Sequence, residues 1–328
     1  MQKKICCILL ICLINSFLIS GCIESNTSNL LYVDDDFNSS TQGWNKDHFS
    51  SIQKAINVAK TNCTIYVNDG LYQENIVIDQ PTYVRIIGSN PNETIISGNK
   101  NGQHGLFIDE QPRVNISGFT IMDCQQGNEL KGTTAGMYVT SRNNSIHTII
   151  FKNNSNGIYT LDSSYNQIYD NAFINNYYGI LLYTYSANNS IHHNLFLSNN
   201  IGCRVKGSNQ NMIYQNLFSA NTGGTYVCCV SNDNQFYLNT YVNNSDFHAQ
   251  DWCLNTWNTT NHGNYWSDFY QIKPGAVDQN NDGIVDVPYN ISRGYQPEDY
   301  PNKDYFPLVN SPLIKNIFTS KYGIGMVN

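Results

Sequence analysis

Five glycines, Gly136, Gly157, Gly179, Gly202 and Gly224, recur at intervals of 21, 22, 23 and 22 residues, and their neighbours recur in step. Asn144, Asn166, Asn189, Asn211 and Asn234 form one column of this alignment; Ile146, Ile168, Ile191, Ile213 and Phe236 form another. Phe151, Phe173, Phe196, Phe218 and Tyr241 make a third. Two further columns are almost pure asparagine: Asn171, Asn194, Asn216 and Asn239, with Ile149 in the first repeat, then Asn154, Asn176, Asn199, Asn221 and Asn244. A chain with 49 asparagines in 328 residues needs a structural cause for the bias.

A period near 22 is too short for paired-helix repeats and fits a coil of three short β-strands, each coil stacking on the last. The density of Asn, Gly and β-branched residues argues against helix as well. In a parallel stack, identical residues lie about 4.8 Å apart. A corner Asn then bonds the Asn above and below and satisfies the buried turn amides. The Ile and Phe columns become apolar ladders in the core, and glycine is expected to serve the tight corner before each strand. Leucine-rich repeats share the period but need leucine at most core positions. The fold expected is all-β, a right-handed parallel β-helix with about 22 residues per coil and a short N-terminal capping helix.

Looser coils precede the repeat: Thr64 to Val67, Ile76 to Ile78, Val84 to Ile87, Thr94 to Ile96, Leu106 to Ile108 and Val114 to Ile121. An open stack needs covered ends, because bare strand edges aggregate. Ser50 to Lys60 supplies one cover, with Ser50 or Ser51 as N-cap and Ile52, Ala55, Ile56 and Ala59 on one helical face. Residues 251–310, rich in Trp, Tyr, Pro and Asp, close the other end. The chain divides into a signal segment at 1–22, a linker and first strand at 23–48, the β-helix at 49–250, the C-terminal cap at 251–310 and a tail at 311–328.

The net charge of −7 and the absence of a Lys/Arg cluster argue against nucleic acid as a partner. Gln2, Lys3 and Lys4 precede an apolar run from Ile5 to Ile19, the pattern of a secretory signal. The run ends in Leu18-Ile19-Ser20-Gly21-Cys22, which resembles a lipobox and implies membrane attachment through a lipid on Cys22; an uncleaved anchor is the alternative. Both place the rest of the chain outside the cytoplasm, as a membrane-anchored or secreted protein. Of ten cysteines, six lie beyond this segment: Cys63, Cys124, Cys203, Cys228, Cys229 and Cys253. Their spacing fits disulfides or buried thiols equally.

The run Phe49-Ser-Ser-Ile-Gln-Lys-Ala-Ile-Asn followed by Thr64-Ile-Tyr-Val-Asn-Asp-Gly-Leu-Tyr resembles exported parallel β-helix proteins of the pectin-lyase-like superfamily. The Asn-rich coils with Gly263-Asn-Tyr-Trp-Ser-Asp, Asp282-Gly-Ile-Val-Asp-Val-Pro-Tyr and Asp304-Tyr-Phe-Pro-Leu resemble the NosD-type β-helix domain, over about residues 32–309. That resemblance implies the fold and two function classes: maturation of a periplasmic copper site, and carbohydrate binding or hydrolysis. Function has to be argued from sites, since one fold hosts many activities.

A glycosidase needs two carboxylates flanking one point. Between Gly136 and Asn244 the acidic residues are Asp162, Asp170 and Asp233, in different columns, so no catalytic residues are assigned. A polysaccharide lyase, epimerase or hydrolase stays an alternative, with Arg204 or Lys206 as a lyase base. For copper, His147 and His192 share an outward column with Tyr169, Tyr214 and Tyr237 but lie two coils apart, about 9.6 Å. His192 and His193, being adjacent, are expected on opposite faces, and both features argue against a copper site. After each glycine, alternation points Tyr138, Tyr159, Leu181, Arg204 and Tyr226 outward, then Thr140, Leu161, Tyr183, Lys206 and Cys228. The candidate ligand-binding set is Tyr138, Tyr159, Tyr183, Arg204, Lys206 and Tyr226: tyrosines to stack sugar rings, cations to pair with uronic carboxylates. The alternative is a sheet covered by β-favouring residues, leaving an envelope scaffold that contacts other proteins. Asp278, Asn280, Asp282, Gly283 and Asp286 match positions 1, 3, 5, 6 and 9 of a calcium loop. Position 12 is Tyr289 rather than Glu, so weak calcium binding or a plain acidic turn is expected.

Overall fold

The computed structural model describes residues 29–79, 83–110, 113–293 and 302–312. They wind into a parallel β-solenoid of about 9 turns, with three strands per turn falling into sheets of ten, nine and eight strands. One inward column of the ten-stranded sheet runs unbroken from Leu31 through Ile65, Ile86, Ile116, Ile146, Ile168, Ile191 and Ile213 to Phe236. The nine-stranded sheet carries Tyr72, Ile96, Ile121, Phe151, Phe173, Phe196, Phe218, Tyr241 and Trp266 in register. From Phe151 onward the rings stack at 4.5 to 5.0 Å and within 8° of parallel. Such parallel stacking follows from the coil spacing, and it fills the core with aromatic area.

The three asparagine columns are ladders in the strict sense. The Asn194 carboxamide oxygen accepts both the backbone N–H and the Nδ2 of Asn171, at 3.0 and 3.1 Å, while its own Nδ2 donates to Asn216 and to the Ile168 carbonyl. The same pattern joins Asn144, Asn166, Asn189, Asn211, Asn234 and Asn255, and joins Asn154, Asn176, Asn199, Asn221 and Asn244. A buried unpaired amide costs about 1–3 kcal/mol, so each rung removes a penalty that every corner would otherwise carry. A serine ladder runs beside them, from Ser163 N–H to Ser186 Oγ, then to Ser208, Ser231 and finally the Cys253 sulfur.

The repeated glycines do not sit where expected. Gly136, Gly157, Gly179, Gly202 and Gly224 lie inside strands, and the left-handed corner positions belong to other residues. Asp170, His193, Gln215 and Leu238 (φ +52 to +55) each precede a ladder asparagine, as do Asn153, Asn175, Ser198, Ala220 and Asn243. What demands glycine is space: a Cβ on Gly157 would stand 2.5 Å from the Gly179 carbonyl oxygen and 2.7 Å from the Phe173 ring.

The N-terminal cover is a helix over Ile52–Val58 that buries Ile52, Ala55 and Ile56; Ala59 ends it as C-cap. Ser51 is the N-cap, and the Glu74 carboxylate adds bonds from Ser51 Oγ, Ile52 N and Gln53 N at 2.7 to 3.0 Å. The stretch Val114 to Ile121 is two strands, Asn115–Ser117 and Thr120–Met122, broken at Gly118 (φ +84). Gly70–Tyr72 adds a strand that alternation did not reveal. At the other end each asparagine ladder meets a terminator. Asn255 donates to Asp251, Asn264 to Asp304, and Asn244 meets His248 Nδ1 at 3.1 Å. Trp257 and Trp266 donate their indole N–H to the same two aspartates, which ties the last coil to the cap.

Candidate functional site

The eight-stranded sheet has one face in the core and one open. Alternation places Met137, Ile158, Ile180, Cys203 and Thr225 inward, all buried, with Val139, Thr160, Leu182, Val205 and Val227 beside them. The residues between them project outward in register: Phe107, Tyr138, Tyr159, Leu181, Arg204, Tyr226 and Gln250 in one column. Leu161, Tyr183, Lys206 and Cys228 form the adjacent column. Parallel pairing therefore brings all six expected residues, Tyr138, Tyr159, Tyr183, Arg204, Lys206 and Tyr226, onto one surface.

Ring contacts run along it. Phe107 stacks on Tyr138 at 5.0 Å, Tyr138 meets Tyr159 at 5.0 Å, and Tyr159 meets Tyr183 edge-on at 5.7 Å. His104 stacks on Tyr138 at 4.7 Å and accepts the Ala135 N–H on Nδ1 at 3.0 Å. Burial holds His104 below the usual histidine range, so it is neutral with its proton on Nε2. His104 and Phe107 line a cavity of about 290 Å³ with Asn75, Val77 and Gln103, which continues the aromatic strip at its N-terminal end.

The cations lie over rings. The Arg204 guanidinium stands 5.1 Å from the Tyr178 centroid and 5.0 Å from that of Tyr226, and it donates to the Tyr178 hydroxyl. Lys206 Nζ is 5.0 Å from the Tyr183 centroid. Burial works against charge on Arg204, but Tyr178 and Cys228 beside it outweigh that and raise its pKa. Burial likewise pushes the Tyr138, Tyr159 and Tyr226 hydroxyls above the ordinary range, leaving them neutral donors at pH 7. Tyr178, Phe107 and His104 were absent from the sequence-derived set. Tyr178 shares its column with Asn156, Ile201 and Gly223, so no common chemistry marks it.

Elsewhere the outcomes differ. Asp162, Asp170 and Asp233 each occupy a left-handed turn, φ +47, +55 and +58. His147 and His192 are separated by the Tyr169 ring, stacked at 4.8 and 5.3 Å, as the two-coil spacing requires. His193 does not point away from His192. The strand ends at His192, His193 turns left-handed at φ +55, and the two Nδ1 atoms come within 2.8 Å.

In the acidic loop, Asp278 accepts the N–H groups of Asp282 and Gly283, Asn280 and Asp282 accept those of Asp282 and Ile284, and Asp286 accepts that of Gln279. Tyr289 leaves the loop to bond Asp268 at 3.2 Å. Among the described residues, the acidic trio whose oxygens converge within 4.8 Å is instead Asp34, Asp35 and Asp36. The six described cysteines are all thiols, and Cys228 and Cys229 bring their sulfurs to 2.8 Å. Cys22 and its segment lie outside the described residues. No helix among those described is long and apolar enough to cross a membrane.

A family model described as "Periplasmic copper-binding protein (NosD)" matches residues 45–270. A probable pectinesterase/pectinesterase inhibitor 6 of Arabidopsis thaliana is 36% identical over 78 residues, covering 22% of this chain and 14% of the plant protein's length. Among solved structures, an alginate lyase from Paenibacillus sp. aligns with TM-score 0.44 and 14% identity over 66% of this chain and 84% of its own. ORF18 of Geobacillus virus E2 aligns with TM-score 0.40 and 16% identity over 65% and 51% of the two chains.

Proposed function

The chain belongs to the NosD family, and from that premise we propose that it works outside the cytoplasm as a non-catalytic binding protein of the cell envelope. The ligand is an acidic polysaccharide lying along the open face of the eight-stranded sheet. The observation that carries this reading is the run of rings from Phe107 to Tyr183 at 5.0 to 5.7 Å, ending against Arg204 and Lys206. Four successive coils, those of Phe107, Tyr138, Tyr159 and Tyr183, each place one ring on this face. Aromatic stacking tolerates varied hydroxyl patterns, whereas Arg204 and Lys206 add a preference for carboxylates. The periplasmic family description and the apolar, Cys22-terminated N-terminal segment support an envelope location, with lipid on Cys22 as the proposed anchor.

The test is retention of the full, detergent-solubilised chain on immobilised acidic and neutral polysaccharides, with reducing-end and unsaturated products assayed together. Retention on the acidic polymers, without products, is expected. Tyr159→Ala with Tyr183→Ala should lower affinity by about tenfold, at roughly 0.5–1.5 kcal/mol per ring contact. Undiminished retention by that variant would remove the strip as the site, and product formation would make the protein an enzyme.

A further inference from the structure

Two cysteines that the glycan contacts do not use stand at the edge of this face. Cys228 ends the strand Gly223–Cys228, in register with Leu161, Tyr183 and Lys206 of the preceding coils. The next residue of each coil, Asp162, Thr184, Gly207 and Cys229, turns left-handed, with φ +47, +27, +66 and +63. Stacking therefore imposes this corner whatever side chain occupies it. Successive residues of a continued strand would point their side chains to opposite faces. The corner instead brings the Cys229 sulfur to 2.8 Å from that of Cys228. Among the described cysteines Cys229 is the exposed one, whereas Cys228 is buried and takes a hydrogen bond from Arg204. Cys253 is committed elsewhere, as the sulfur that accepts the Ser231 N–H at 3.3 Å and ends the serine ladder.

We infer that Cys228 and Cys229 are a redox-active dithiol, which an incoming disulfide converts reversibly into a bond between the two neighbours. The exposed Cys229 sulfur, deprotonated, attacks one sulfur of a low-molecular-weight or protein disulfide and expels the other as a thiolate. Cys228 then gives up its proton and attacks the Cys229 sulfur, expelling the second thiolate. Two cysteine S–H bonds and the incoming S–S bond break; the Cys228–Cys229 bond and two S–H bonds on the leaving thiols form. Two electrons pass to the incoming disulfide. Burial first, then Cys229 beside it, pushes the Cys228 thiol up to about 11, which makes Cys228 the resolving thiol and Cys229 the attacking one. The Arg204 guanidinium works the other way and favours the Cys228 thiolate that the second attack needs. Closure takes little movement, since the bonded distance is about 2.05 Å. Reversal follows from adjacency: neighbouring α-carbons lie about 3.8 Å apart, short of the roughly 4.4–6.8 Å that disulfides usually span. A disulfide strained in this way is more reducible than a structural one. Outside the cytoplasm, where the chain is proposed to work, oxidising conditions supply the incoming disulfides.

The full, detergent-solubilised chain is reduced, equilibrated with glutathione and glutathione disulfide in graded ratios, quenched with acid, then alkylated under denaturing conditions and digested for mass spectrometry. In oxidising mixtures the peptide carrying both cysteines should lose two hydrogens and take no alkyl group, and excess glutathione should restore two alkylated thiols. The closing rate should rise by up to about tenfold per pH unit below the thiol range, since a thiolate attacks. Cys229→Ala should abolish closure and leave Cys228 open to alkylation, at an unchanged melting temperature because Cys229 is exposed. Cys253→Ser should close as the wild type does. A pair that stays a dithiol in every mixture, a closed pair that excess glutathione does not reopen, or Cys229 joined to Cys253 would each overturn the inference. Cys229→Ala should still be retained on acidic polysaccharide, so failure of either reading leaves the other standing.

Discussion

At the scale of single residues, Asp304 shows how a ladder end sets pH behaviour. Burial pushes its carboxyl up to about 6, against four N–H donors from Asn264, Trp266 and Phe306 that favour the charged form. A carboxyl with an unfolded pKa of 3.8 and a folded one near 6 binds its proton more tightly when folded. Its contribution is therefore full below about pH 4 and is lost as pH rises to 6, by about 3 kcal/mol. The buried His248 and the half-buried His104 and His192 act oppositely: desolvation lowers all three, so their share is lost as pH falls below the ordinary histidine range. Denaturant midpoints of the wild type and Asp304→Asn, taken from pH 4 to 7.5, separate the two. The variant should lack the downward step between pH 4 and 6; parallel curves would refute the assignment.

Elements were legible in proportion to how local their signal is. The columns of Ile, Phe and Asn were readable because stacking repeats one environment at every coil, and the helix at Ile52–Val58 was readable from its own caps and apolar face. Glu74 was not, since it reaches that helix from 22 residues away. Its carboxylate takes two backbone N–H groups of the first turn and the Ser51 hydroxyl, a charge-assisted cap on the positive end of the helix. Glu74→Gln should cost about 1–2 kcal/mol in thermal or denaturant unfolding, and an unchanged melting temperature would show that Ser51 alone suffices. The glycine columns carried a misleading signal for the same reason. Sequence cannot tell a residue chosen for a turn from one chosen because a neighbouring coil's carbonyl and a Phe ring approach it. The strip was found by alternation, yet Tyr178 escaped because its rung neighbours share no chemistry.

For the whole molecule, the solenoid is quasi-one-dimensional: each coil contacts only its neighbours, so stability sums over interfaces and the ends decide solubility. The C-terminal end is closed by side chains that finish what the ladders begin. Asp251 and Asp304 receive the final asparagine rungs, and Trp257, Trp266 and Tyr289 continue the ring stack, with Trp266 on Tyr289 at 4.1 Å. Removing residues from 252 onward leaves the N–H groups of Asn234 and Asn239 without the acceptors Asn255 and Asn264. It also bares the Phe236 and Tyr241 rings that Trp257 and Trp266 cover, beside three open parallel edges. Open parallel edges with matching side-chain columns are templates for another copy of the same coil, so the truncated chain should associate end to end. Light scattering after size exclusion should show oligomers whose mass grows with concentration, while the full chain stays at one mass. A monomeric truncated chain with a cooperative melt would mean that the last coil needs no cover, and that the terminal region was kept for its ligands instead.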